Sequence, residues 1–177
     1  MIELETARLK LRRFTWDDLD ELARIGADPE TRGFMWTGPA DREVTTRNLR
    51  RWMEEYERNL GLLAMIYKPD GRLIGQCGLE EDEEGRVGLG YTLRKEYWCK
   101  GLAPEACAAV LEYGFDALGL GCIWSSARAD NSASRRMMEK VGMSFRESKR
   151  TGAGEEVRYA VLREEFFGRG ATSVNPA

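Results

Sequence analysis

The 177-residue chain contains no histidine. That removes the commonest general base near neutral pH, the serine–histidine and cysteine–histidine nucleophile pairs, and most zinc sites. Acid–base work must fall to carboxylates, Tyr, Cys, Lys, Ser or water, and no metal is expected. Cysteine is scarce: Cys77, Cys99, Cys107 and Cys122 include no Cys-x-x-Cys pair. Their scatter argues against a disulfide framework, and they read as small hydrophobes in a reducing compartment. No apolar run approaches the ~20 residues of a membrane span, and "MIELETARLKLRRF" has no apolar signal-peptide centre. A cytoplasmic protein with no membrane partner is expected. A basic excess is also missing, since 27 Lys and Arg stand against 30 Asp and Glu, so a nucleic-acid partner is not expected.

What remains is the composition of an ordinary globular chain of one-domain length. The domain is expected over residues 1–168, with 169–177 as a disordered tail. "ARLKLRRF" alternates and predicts a strand over 7–14. A helix follows in "TWDDLDELARIGAD", with Thr15 and Asp18 spaced as a capping box and Gly26 as its stop. "DREVTTRNLRRWMEEYERN" is a second amphipathic helix. From Leu62 the period becomes two, and "LLAMIYK", "RLIGQCGLE" and "RVGLGYTLR" predict an antiparallel meander turning at "PDG" and "EDEEG". A helix over 104–118, a strand over 122–129, a short helix in "NSASRRMMEKVG" and a closing hairpin that runs through "EVRYAVLREEF" complete the order β-α-α-β-β-β-α-β-α-β-β. The strand–helix–strand segment ending at "CIWSSA" makes those two strands parallel neighbours. The fold class is therefore mixed α/β (α+β), with a mostly antiparallel central sheet.

Two stretches carry candidate chemistry. "YWCKGLAPEACAAV" places a bend before a helix start, where backbone N–H groups lack partners and the dipole is positive. Gly101 allows close approach, Ala103 is small, Lys100 adds charge, and Pro104 suits the first helical position. This is an anion site, or a plain βα loop with a proline cap. It is neither a Walker motif nor a three-glycine dinucleotide fingerprint. In "DNSASRRMMEKVGM", Asn131 reads as an N-cap and Ser134 as a helix residue three positions on.

Taken together, "GLGYTLRKEYWCKGLAPEA" and "NSASRRMMEKVGM" resemble the GNAT N-acetyltransferase superfamily. They look like the branch that acetylates ribosomal-protein N-termini and related amines. That branch shows a Gly-Tyr strand, then Tyr-Trp/Gln-Gly-Lys-Gly-Tyr-Ala-Thr-Glu-Ala, then Asn-x-x-Ser with a Glu-Lys-x-Gly-Phe ending. "ETARLKLRRFTWDDLDEL" and "RYAVLREEF" also look like that branch, so the resemblance runs from Leu4 to Phe167. Trp98 departs from the usual Gln or Arg, Cys99 from Gly, and Pro104 from Thr.

The resemblance implies acetyl transfer from acetyl-CoA to a primary amine, either a protein N-terminus or a small molecule. Acetyl-CoA would lie where the two parallel strands splay apart. Its pyrophosphate would rest on the amides of Cys99, Lys100, Gly101, Leu102 and Ala103, flanked by Trp98 and Pro104. Its pantetheine would pair with Tyr91, Thr92 and Leu93, and the N–H near Leu93 would polarise the thioester. Asn131 would hold the pantetheine arm, and Ser134 would protonate the leaving thiolate. Glu80 is the first candidate base and Glu81 its neighbour on the opposite face, although "EEDEEG" also reads as a solvated hairpin. The acceptor pocket would draw on Phe34, Met35 and Trp36, whereas Trp52 and Tyr56, at helical spacing, read as core before pocket. The alternatives are a non-catalytic CoA-binding module on the same fold and a structural domain with no cofactor. Oligomeric state stays open, a homodimer being common among such proteins.

Overall fold

The computed structural model describes residues 2–33, 38–152 and 154–168. Its centre is an eight-stranded sheet in the order β1-β2-β3-β4-β5-β6-β8-β7. The strands are β1 (Glu3–Glu5), β2 (Leu9–Arg12), β3 (Gly61–Tyr67), β4 (Arg72–Glu81), β5 (Val87–Leu93), β6 (Cys122–Arg128), β7 (Ser144–Thr151) and β8 (Gly154–Leu162). Every neighbouring pair is antiparallel except β5 and β6, which are parallel. A parallel pair needs a long crossover, and helix α4 (Leu102–Asp116) supplies it.

Helix α4 buries Ala106, Cys107, Val110, Leu111 and Phe115, the apolar side its spacing predicts. Helices α1 (Leu19–Ala27) and α3 (Arg42–Glu55) bury Leu22, Ile25, Leu49 and Trp52. There Phe14 stacks on Trp52 with ring centroids 5.7 Å apart. Tyr56 anchors the turn after α3. Its hydroxyl donates to the Leu62 carbonyl at 2.6 Å and accepts from the Phe14 N–H at 3.0 Å, while burial pushes its pKa up to about 12.

Several boundaries differ from the sequence expectation. The strand expected over 7–14 is shorter and is preceded by β1, because Thr6 folds the chain back by bonding the Leu9 N–H at 2.9 Å. Gly26 lies inside α1, which ends at Asp28. That residue's carboxylate caps a further short helix, α2 (Pro29–Arg32), by accepting from the Glu30 and Thr31 amides. Helix α4 starts two residues early, at Leu102, so Pro104 is its third residue rather than its first. A third-position N–H has no intrahelical partner in any case, so proline fits there. The closing strand stops at Leu162, where Arg163 opens helix α6 (Arg163–Gly168) and Leu162 N–H bonds Glu165 at 3.0 Å. Phe34, Met35 and Trp36, expected to line an acceptor pocket, lie outside the described residues, as does the expected tail 169–177.

Candidate active site

Strands β5 and β6 meet at one registered pair, Gly88 with Trp124. Beyond it the Ser125 hydroxyl still reaches the Leu89 carbonyl at 2.9 Å, and then the ladder stops. Arg94 N–H donates to the Ile74 carbonyl at 2.9 Å. By the two-residue alternation of a strand, Thr92 directs its amide and carbonyl to β4, while Tyr91 and Leu93 direct theirs toward β6. The Leu93 carbonyl accepts from the Trp98 indole N–H at 2.6 Å. The Leu93 amide and both backbone groups of Tyr91 face the gap. Thr92 therefore does not offer its backbone to a ligand there, contrary to the sequence expectation, although it lines the groove.

The gap widens into a groove of about 780 Å³. One wall is the bend before α4. Cys99 and Gly101 both take left-handed backbone conformations, with φ of 57° and 74°. This geometry turns successive amides the same way, and among the described residues no acceptor pairs with the N–H groups of Cys99, Lys100, Gly101, Leu102 or Ala103. A Cβ on Gly101 would meet only Arg8 Nη2, at 3.5 Å.

Lys100 departs from expectation. Its ammonium lies over the Tyr97 ring, 4.9 Å from the centroid, and the residue does not line the groove. The cation beside the bend is Arg8, which the sequence reading missed. Its Nη1 donates to the Lys100 carbonyl at 2.8 Å, and its Nε donates to Glu105 at 2.7 Å. Glu105, in the first turn of α4, also accepts from Thr6 Oγ1 at 2.5 Å and the Arg8 N–H at 2.9 Å. Burial works to raise the Glu105 pKa, but these donors outweigh it and hold the carboxyl below its usual range.

The opposite wall is helix α5 (Ser132–Lys140). Asn131 caps it, its Oδ1 accepting from the Ser134 N–H at 3.0 Å. Asn131 and Ser134 both line the groove. Burial pushes the Tyr91 phenol's pKa up to about 12, against a smaller lowering by the nearby Ser134 side chain. Tyr91 thus contributes a protonated hydroxyl, where the sequence reading used only its backbone.

Glu80 lines the groove on the other sheet face. Its Oε1 accepts from Trp52 Nε1 at 2.9 Å and from Arg51. Oε2 lies over Gly90, where a Cβ would stand 3.3 Å from it. Glu81 pairs with Arg58 instead. Trp52 and Tyr56 are core residues, each 4% exposed, and Trp52 reaches the site only through its indole N–H.

The family model for the acetyltransferase (GNAT) domain matches residues 8–144. The chain is 29% identical over 178 residues to the "Uncharacterized N-acetyltransferase p20" of Bacillus licheniformis, covering 95% of this chain and 100% of that one. It is 32% identical over 143 residues to the "Uncharacterized N-acetyltransferase YoaA" of Bacillus subtilis, covering 78% and 81%. A solved acetyltransferase (GNAT family) from Bacillus anthracis superposes with a TM-score of 0.81 at 25% identity, over 92% of this chain and 99% of that one. A splayed parallel pair, a bend of unpaired amides and these matches agree: the chain belongs to the GNAT acetyltransferase family and is an acetyl-CoA-dependent N-acetyltransferase.

Proposed function

We propose that the chain transfers the acetyl group to a primary amine by direct attack in a ternary complex within the groove. The observation that carries this reading is the gap between β5 and β6, to which the Leu93 amide and the Tyr91 backbone point, beside five amides at the bend that have no acceptor among the described residues. Five N–H groups at a helix start suit a pyrophosphate, and a free strand edge suits the pantetheine amides. Acetyl-CoA supplies the activated acyl carbon, and both substrates together provide proximity without a covalent enzyme intermediate.

The residues divide the remaining work. Glu80 Oε2 takes a proton from the ammonium, freeing the nitrogen lone pair. The Leu93 N–H stabilises the negative charge that builds on the carbonyl oxygen as the C–N bond forms. The Ser134 hydroxyl, backed by the Tyr91 phenol, gives a proton to the sulfur as the C–S bond breaks. Asn131 Oδ1 is committed to its cap, which leaves its amide nitrogen for the pantetheine arm.

Calorimetric titration with acetyl-CoA, followed by thiol release over N-terminal peptides, polyamines, aminoglycosides and amino acids, tests the proposal. Binding and turnover on at least one amine class are expected. Absence of binding at millimolar acetyl-CoA overturns it, and binding without turnover on any class favours a non-catalytic CoA-binding module. Ser134→Ala is expected to slow turnover ~10- to 100-fold while leaving acetyl-CoA affinity nearly unchanged.

A further inference from the structure

Resting on the reading of Glu80 as proton acceptor, we infer that Glu55 is a positioning residue for Glu80, acting through Arg51. Arg51 and Glu55 stand one turn apart on α3, with Nε 3.6 Å from Glu55 Oε1. The same guanidinium reaches across to Glu80 Oε1, where the Trp52 indole also donates. Both donors hold one oxygen of Glu80, which leaves Oε2 over the space that Gly90 keeps open.

Glu55 has no comparable set of donors. Its side chain is 13% exposed, and among the described residues its buried Oε2 accepts no hydrogen bond. An ionised carboxylate in such a place opposes folding, so a residue serving packing alone gains from losing the charge. The groups facing it are Arg51 and Glu54 on α3, Arg58 in the following turn and Glu80 on β4. Burial, then the charge of Glu80, pushes the Glu55 pKa up, against the pull of Arg51 and Arg58.

One guanidinium is therefore shared between two carboxylates. While Glu55 is ionised, a second carboxylate stands beside Glu80 and shares its cation. Replace Glu55 by a neutral residue and that like charge is gone, with Arg51 left to Glu80 alone, so the variant's carboxylate is expected to hold its charge more firmly and to serve less well as a base.

The test is the pH profile of kcat/KM for the full chain, with acetyl-CoA and the fastest amine of the panel above, together with melting temperatures at pH 7.5. Glu55→Gln is expected to move the acid limb down by roughly one pH unit. It is also expected to lower the plateau kcat about three- to tenfold, with a melting temperature equal to or above the parent's. Arg51→Gln should move the limb the other way. An acid limb in Glu55→Gln that coincides with the parent's, while Glu80→Gln is inactive, overturns the role of Glu55 alone. A Glu80→Gln enzyme that keeps the parent's rate and acid limb overturns the base assignment and this inference with it.

Discussion

Cys99 is the residue where sequence and structure meet most closely. It stands where the resembled family frequently has glycine, and the backbone explains why: φ is 57°, in the left-handed region. An L-residue there costs about 1–2 kcal/mol, partly offset because glycine gains more freedom on unfolding. Cys99→Gly is thus expected to stabilise the protein by about 0.5 kcal/mol in urea titration while acetyl-CoA affinity holds or improves. A loss of stability would mean that the thiol packs against something that matters more than the backbone. Lys100 teaches the opposite lesson. A lysine beside a glycine invites the role of anion partner, yet its ammonium settles over Tyr97, and Arg8, ninety-two positions away in the chain, bonds the Lys100 carbonyl instead.

Elements are held to one another by a few polar ties. The bend before α4 owes its position to the β1–β2 turn through Thr6, Arg8 and Glu105. Charge-assisted bonds of this kind contribute roughly 1.5–3 kcal/mol. Glu105→Gln keeps the shape but loses the charge, and is expected to cost about 1–2 kcal/mol of stability. Acetyl-CoA affinity should fall severalfold, because the Arg8 guanidinium that pins the Lys100 carbonyl loses its own anchor. Unchanged calorimetric affinity in the folded variant would show that the bend holds its amides without this tie. Helix α5 is positioned more locally. Asn131 caps its start, and the same cap sets Ser134 facing the groove.

At the scale of the whole molecule, the partly buried carboxylates Asp18, Glu55 and Glu105 bear on the response to acid alongside exposed ones held by ion pairs and backbone amides. Glu105 sits below its usual range. So does Asp18, where burial is outweighed by Arg12 and the Thr15 amide. A carboxyl lowered on folding contributes stability above its unfolded pKa, about 4, and loses it as pH falls through the lowered value. Glu55 is raised on folding, so it favours the folded state below its unfolded pKa and loses that contribution as pH rises through the raised value. Urea unfolding should therefore show stability rising as pH falls through the raised Glu55 value, and falling again as the lowered carboxyls take up protons below about pH 4. In Glu55→Gln the rise should vanish and the acid collapse remain; a rise that persists in the variant would place its source elsewhere.

The sequence by itself determined the main elements and their order, though not the short β1, α2 and α6, because hydrophobic period, turn residues and the requirement that a parallel pair be joined by a crossover are all local in the chain. It marked the bend as a place of exposed amides for the same reason, since a helix start leaves its first amides without partners wherever it is built. The boundary at Pro104 slipped because every first-turn position lacks a hydrogen-bond partner, so proline marks the turn without marking the residue. Only the tertiary structure decided which side chains face the groove. The pairing of β5 with β4 turns the Thr92 backbone away and points the Tyr91 backbone and the Leu93 amide at the gap. The packing of α3 on β4 brings Arg51, Trp52 and Glu55 to Glu80 across twenty-five or more residues of chain. Long-range charge and hydrogen-bond partners follow from which surfaces meet, and no periodicity within a segment encodes that meeting.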